Sequence, residues 1–190
     1  AIYYYGYGDA QGGGYGGGIF SGGSSQIIGN TICGNYCSIP SGEDETPSGA
    51  GIYTWSNPSI ENNIISNNAF NRPGNGGGIF AELLATPSIH CCDVWNNDNE
   101  NYGGSLSDLT GFDGNFSLDP IFCISDSLQF IRHTLSPCLP DNHPYGTSCG
   151  LIGARGAGCN YVATELSEFS CIPEESGITI IWQMNSNSNA

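Results

Sequence analysis

Lysine is absent from this chain, and arginine occurs only at Arg72, Arg132 and Arg155 against 18 acidic residues, which leaves a net charge of −15. That balance excludes nucleic acid as a partner, because such binding is driven by Lys and Arg displacing counterions from phosphates. It also disfavours an anionic membrane surface or a strongly anionic polysaccharide, unless divalent cations intervene. No run of about 18 apolar residues exists, so no membrane insertion as a helix is expected. Runs of Ala, Leu, Glu and Lys at helical periodicity are missing too, which excludes a helical repeat. No secretory leader is recognisable. Ala1 passes straight into Ile2-Tyr3-Tyr4-Tyr5-Gly6-Tyr7-Gly8, which reads as mid-repeat, as expected if a leader was removed or the chain was trimmed.

What is present repeats. Gly49 to Asn68 holds two halves: small residues entering the apolar Gly51-Ile52-Tyr53, then a turn at Asn57-Pro58, then Ile60 to Asn68 with isoleucines interleaved among asparagines. The first half recurs as Gly16 to Phe20 and Gly76 to Phe80, placing Ile19, Ile52 and Ile79 at spacings of 33 and 27 residues. In the second half, Ile28, Asn30, Ile32 and Asn35 repeat the spacing of Ile60, Asn62, Ile64 and Asn67, and Ile89, Asp93 and Asn96 follow it more loosely. Short strands at such a period predict a parallel β-helix, with each strand paired to its counterpart one coil away. Aligned isoleucines then stack inside, and Asn30, Asn62 and Asn67 are expected to form amide ladders at the corners, where Asn also tolerates left-handed backbone. The 29 glycines suit tight corners. Ile89 to Trp95 is expected to be one strand, with Cys91 at the position that Asn30 and Asn62 hold.

The segments GGGIF, NPSIENNIISNN, SIHCCDVWNND, NYGGSLSDLTGFDGNFSLDPIF and LSPCLP…CGLIGARGAGC, in that order across roughly residues 12 to 159, resemble bacterial secreted right-handed parallel β-helix repeat proteins, of the pectate-lyase-like solenoid superfamily. The resemblance implies an all-β, right-handed solenoid at an extracellular or cell-surface address, secreted by a bacterium. It implies no activity, because this fold houses lyases, hydrolases, adhesins and purely structural proteins. The expected organisation is coils over 1–122, a Cys-rich cap over 123–160 and a C-terminal strand extension over 161–190. In that extension Glu165 to Cys171 and Gly177 to Met184 read as a hairpin resembling the start of a sorting-type β-sandwich.

Nine cysteines suit an oxidising compartment better than a zinc site, since no second pair completes a tetrahedral set. In the segment that resembles the family's end, Cys123 with Cys138 and Cys149 with Cys159 are the expected bridges, each closing a short loop. The odd cysteine stays free or pairs with another chain.

Candidate chemistry is sparse. Glu43, Asp44 and Glu45 lie in a loop between repeats, and Asp98, Glu100, Asp108, Asp113 and Asp119 in a turn-rich connector. Both groups are read as turn residues; no cofactor is expected, Ca²⁺ being the single one entertained. His90 neighbours Cys91, but strand neighbours face opposite sides, so the pair is badly aimed for nucleophilic catalysis. His133 and His143 read as surface residues. The catalytic sets of polysaccharide lyases and polygalacturonases are not found, so no catalytic or metal residue is assigned. Tyr3, Tyr4, Tyr5 and Tyr7 either offer rings for stacking on glycans or subunits or simply cover a coil end.

Three functions follow in order. The first is a non-enzymatic extracellular structural protein, partnered with itself head to tail into a filament through open coil ends and a donated strand containing Ile178, Ile180, Ile181 and Trp182. The second is an adhesive surface protein that binds extracellular polysaccharide, and the third a polysaccharide lyase or hydrolase.

Overall fold

The computed structural model describes residues 14–42, 44–123, 130–146 and 148–159 and the strands Glu165–Glu174 and Gly177–Asn185. It is a parallel β-solenoid followed by a separate compact unit that begins at Cys159. Three parallel sheets run along the solenoid. The first stacks Ile19–Ser21, Ile52–Thr54, Ile79–Ala81 and Tyr102–Gly104 in that order. The second stacks Gln26–Ile28, Ser59–Glu61 and Ser88–His90, and the third Thr31–Cys33, Ile64–Ser66 and Asp93–Trp95. Tyr36–Cys37 beside Ala69–Phe70 adds a shorter pair.

Glycine makes the first sheet possible. A Cβ on Gly18 would stand 2.6 Å from the carbonyl oxygen of Gly51, and one on Gly51 2.5 Å from that of Gly78. Only a residue without a side chain lets consecutive coils approach this closely, which is why the strands that begin at Ile19, Ile52 and Ile79 are each entered through glycine. Beyond it, Ile19, Ile52 and Ile79 are in register as their spacing foretold, and Tyr102 continues their column. Ile27, Ile32, Ile60, Ile65, Ile89 and Val94 complete one buried cluster, and Leu106 and Leu109 pack against it.

The second-half alignment read from sequence is displaced by one residue. Ile27, not Ile28, is level with Ile60, and Ile32 is level with Ile65 rather than Ile64. The twin isoleucines Ile27-Ile28 and Ile64-Ile65 make both registers equally apolar on paper, yet a slip of one residue exchanges the two faces of a strand. Ile28 consequently points outward and is 46% exposed, whereas Ile27 is 6% exposed.

The same shift relocates the amide ladders. Asn30 donates from its backbone and side-chain nitrogens to Asn63 Oδ1 at 2.8 and 3.1 Å. Asn35 does likewise to Asn68 Oδ1 at 3.0 and 2.9 Å, and the chain continues from Asn68 Nδ2 to Asn97 Oδ1 at 2.8 Å and from Asn97 Nδ2 to Asn101 Oδ1 at 3.0 Å. Asn62, expected in a ladder, instead forms the corner just before one, with φ of 53°, whereas Asn67, a corner at φ 55°, does make the expected amide contact between coils, its Oδ1 accepting from Asn96 Nδ2 at 2.8 Å. Cys91 is a corner too, at φ 52°, so Ile89 to Trp95 is two strands rather than one. Cys92 rather than Cys91 fills the ladder position, its amide donating to Asn115 Oδ1 at 2.9 Å. Asn serves both duties, and the sequence alone does not say which of two adjacent asparagines takes which.

Cys138, Ile152 and Ala154 of the segment that follows the coils pack against the third sheet as its flank. Ile152 and Cys138 cover Ile64 and Phe116, Gly153 donates to the Asn62 carbonyl at 2.7 Å, and Ala154 donates to Thr31 Oγ1 at 3.2 Å. This flank is tied by a Cys91–Cys149 disulfide, and Cys123 and Cys159 are disulfide-bonded as well. The expected bridges Cys123–Cys138 and Cys149–Cys159 are therefore not formed. Cys149 joins a coil corner 58 residues earlier in the chain, a contact created by wrapping rather than by local loop closure, and Cys138 keeps a buried thiol. His133 and His143, expected on the surface, are 3% and 9% exposed within this flank. The flank's covering of the third sheet withdraws them from solvent.

In the second unit, Glu165–Glu174 and Gly177–Asn185 form an antiparallel hairpin that places Ile178 opposite Pro173, Ile180 opposite Cys171, Ile181 opposite Ser170 and Trp182 opposite Phe169. The register predicts that Ile27→Ala costs about 2–4 kcal/mol, while Ile28→Ala stays within about 1 kcal/mol. Urea unfolding of the two variants checks this; the opposite order would restore the alignment read from sequence.

Candidate functional site

The polar residues that chemistry requires are mostly engaged in holding turns. Asp98 Oδ2 accepts from the Phe70 amide at 2.9 Å, Glu100 Oε1 from that of Gly76 at 3.3 Å, and Asp119 Oδ1 from that of Ile121 at 2.8 Å. Asp108 Oδ1 accepts from the Thr110 amide at 2.9 Å, a bond that holds its carboxyl below the usual range. Asp113 is itself a corner at φ 51°. Among the described residues no three His, Cys, Asp or Glu side chains are gathered to hold a metal ion. Glu43 lies outside the described residues. His90 bonds Ser88 at 2.6 Å, and its neighbour Cys91 is in a disulfide. The adjacent Cys92 thiol is fully buried, which pushes its pKa up to about 12.

One ionisable cluster is buried. Asp93 is inaccessible on the third sheet, where its Oδ1 accepts from the Leu118 amide at 3.1 Å and its Oδ2 from the Cys138 thiol at 3.2 Å. Burial pushes Asp93 up to about 7, and Asp119 adds to the rise against the Leu118 amide, Cys138 and Arg132. Burial likewise raises Cys138 and lowers Arg132, whose buried guanidinium lies close enough to Cys138 and Asp93 to interact with both. All three side chains are fully buried, and the cluster joins the third coil to its flank.

The exposed chemistry is aromatic. Outward positions of the first sheet stack Phe20 on Tyr53 and Tyr53 on Phe80, with centroids 5.3 and 5.5 Å apart and rings within 10° of parallel. Tyr53 is buried within the stack and donates its hydroxyl to Glu82. Tyr15 leans on Tyr53 at 4.8 Å. At the corner where this sheet ends, register places Gly22, Trp55 and Glu82 in one column, with Trp55 N bonded to the Ser21 carbonyl and Glu82 N to that of Thr54. A Cβ on Gly22 would lie 3.0–3.1 Å from Cζ2, Cε2 and Nε1 of Trp55, so the indole is laid across the glycine. Its edge contact with Phe20, at 5.0 Å and 84°, fixes its tilt. The indole remains 57% exposed and Phe20 48%. One coil further, Leu83 and Leu84 are more than four-fifths exposed, and Leu84 has the left-handed φ of 78° that a branched residue seldom adopts.

This corner differs from the aromatic site expected from sequence. Tyr3, Tyr4, Tyr5 and Tyr7 lie outside the described residues. Trp55 was overlooked, although a signal was present: it follows Ile52-Tyr53-Thr54 just as Gly22 follows Ile19-Phe20-Ser21, so a large flat ring is aligned with a residue that makes room for it. The strand with Ile178, Ile180, Ile181 and Trp182 belongs to the hairpin described above. Among the described residues no helix is long and apolar enough to cross a membrane, and the disulfides fit an oxidising compartment. The chain matches no protein-family model, no curated protein and no solved structure.

The sign of the Asp93 shift sets a pH dependence. Because the folded value lies above the unfolded one, its contribution is fully present below about pH 4 and is lost as pH rises through about 7. The loss is on the order of 4 kcal/mol for such a shift. Denaturant midpoints should fall between pH 5 and pH 8, and Asp93→Asn should flatten that fall and exceed the wild type at pH 8. An unchanged slope in the variant would refute a buried, proton-binding Asp93.

Proposed function

We propose that this protein is a non-enzymatic, extracellular β-solenoid that attaches to carbohydrate through the aromatic corner formed by Trp55, Phe20 and Tyr15. The observation that carries the reading is the Trp55 indole, one side seated on Gly22 and more than half of its surface left to solvent. A flat amphipathic ring with a dry underside and a wet upper side suits the C–H face of a pyranose, and the adjoining sheet keeps it from reorienting. Rigid placement matters because an ordered ring loses little entropy on binding. The dispersal of the described carboxylates into turns, and the burial of the Asp93, Cys138 and Arg132 cluster, support attachment rather than bond cleavage. The extracellular address rests on the disulfides and on the resemblance to secreted solenoids.

Self-association is the second reading, and the two-stranded hairpin favours it, since a hairpin alone is marginal in water and its outer edges can accept further strands. It ranks second for two reasons. Copies bearing −15 repel one another, and Leu106 and Leu109 pack against the interior column, reducing what a stacked copy would cover there. Light scattering across ionic strength separates the two: a glycan-binding protein remains monomeric even at high salt, where the repulsion is screened, and a filament former assembles there.

Binding to a panel of immobilised polysaccharides tests the first reading. Trp55→Ala should weaken binding at least about tenfold, as removal of an aromatic anchor does, while leaving the unfolding midpoint nearly unchanged. Loss of stability without loss of binding would remove the corner from the interface.

A further inference from the structure

The Cys91–Cys149 disulfide joins two parts of the chain that are each hydrogen-bonded within themselves. In the flank, Arg132 N donates to the Gly156 carbonyl at 3.2 Å, Ile152 N to that of Cys138 at 3.1 Å, and Asn142 Nδ2 to those of Thr134 and Ser136 at 2.8 and 3.0 Å. Across to the coils run the bonds from Gly153 to the Asn62 carbonyl, from Ala154 to Thr31 Oγ1 and from the Cys138 thiol to Asp93 Oδ2. Ile152 and Cys138 also bury Ile64 and Phe116. Against that apolar gain stands the withdrawal of Asp93 and Arg132 from water, a desolvation that offsets much of what their attraction returns. The covalent bond tips this balance, because a link across 58 residues removes chain entropy from any state in which the flank has lifted. Both of its cysteines are only half-buried, so a thiol can approach them.

We infer that the flank is a redox-controlled strap: with the Cys91–Cys149 bond intact it is closed over Ile64, Phe116 and Asp93, and with that bond reduced it lifts while the coils stay folded. The step is thiol–disulfide exchange with a dithiol. One thiolate of the reductant attacks a sulfur of the pair to give a mixed disulfide, and its second thiolate displaces the protein from it. The two protons of the dithiol pass to the protein, which leaves Cys91 and Cys149 as thiols and the reductant as a disulfide. Lifting returns Asp93 and Arg132 to water and bares an apolar patch on the third sheet. The aromatic corner lies at the end of the first sheet, so the strap is independent of the carbohydrate reading.

The chain's own thiols report the opening. Cys138 is buried under the strap, Cys92 is buried among the coils, and Cys33 is half-buried and serves as the reactive control. The full chain is alkylated with iodoacetamide before and after a pulse of dithiothreitol, and each labelled cysteine is located by peptide mass spectrometry. The expected result is that reduction speeds alkylation of Cys138 at least about a hundredfold, as loss of a bond closing so long a loop implies, while Cys92 stays protected and Cys33 reacts throughout. Continued protection of Cys138 after reduction would overturn the strap. So would Cys138 and Cys92 accelerating together, since the bond would then support the whole fold. Cys138 reacting as fast as Cys33 before reduction would contradict the closed state. The double variant Cys91→Ser/Cys149→Ser, alkylated without reductant, separates this bond from those of Cys123 and Cys159. With Cys92 protected it should label at Cys138 as the reduced wild type does, and a protected Cys138 there would move the control to another disulfide and overturn the inference. If the variant does not fold, and Cys92 reacts at once, the reduced wild type decides by the same criteria.

Discussion

Everything in this molecule follows from the register in which one coil meets the next. A parallel solenoid has no local closure: each strand obtains its hydrogen bonds from a segment about thirty residues away, and each interior side chain obtains its contacts from the same segment. The Asn ladders enforce the alignment, because Asn35, Asn68 and Asn97 can bond in sequence only when the coils are level. Buried amides that lose such partners are expensive, so the ladders penalise a slip as strongly as the isoleucines do. Once the register is fixed, the outer surface is fixed as well. Phe20, Tyr53 and Phe80 must stack, and Trp55 must come to rest beside Gly22.

The architecture was legible because its main signal is repetition, and the first half of each repeat was legible to the residue. Isoleucine after a glycine run has a single inward position, and nothing beside it competes. The second half was ambiguous for a specific reason: doubled isoleucines and doubled asparagines offer two registers with the same composition. Only three-dimensional closure decides between them, by demanding a left-handed residue at each corner and an amide immediately after it. Gly29 and Gly34, at φ 67° and 68°, occupy the corners that Asn62 and Asn67 occupy one coil later. Aligning glycine with the first asparagine of each pair would have resolved the register from sequence.

The disulfide and the buried histidines were illegible for a different reason. The flank covers the third sheet's outer face, so contacts such as Cys138 with Asp93 and Cys91 with Cys149 join positions 45 and 58 residues apart that no repeat relates. Short-loop reasoning favours neighbours in sequence and fails where a segment wraps back. The aromatic corner was hidden by the opposite circumstance. Each of its residues is ordinary alone, and the feature arises from Trp55 and Gly22 sharing a column while Phe20 supports the ring from the side.

The most direct test of the account is a proton NMR measurement of the contact that register creates. If the coils are aligned as described, the Gly22 α-protons lie against the Trp55 indole, show nuclear Overhauser effects to its ring protons and are shifted upfield by its ring current, and Trp55→Ala returns them to ordinary positions. Gly22 protons with no such effects and unaltered shifts would contradict both the register and the surface derived from it.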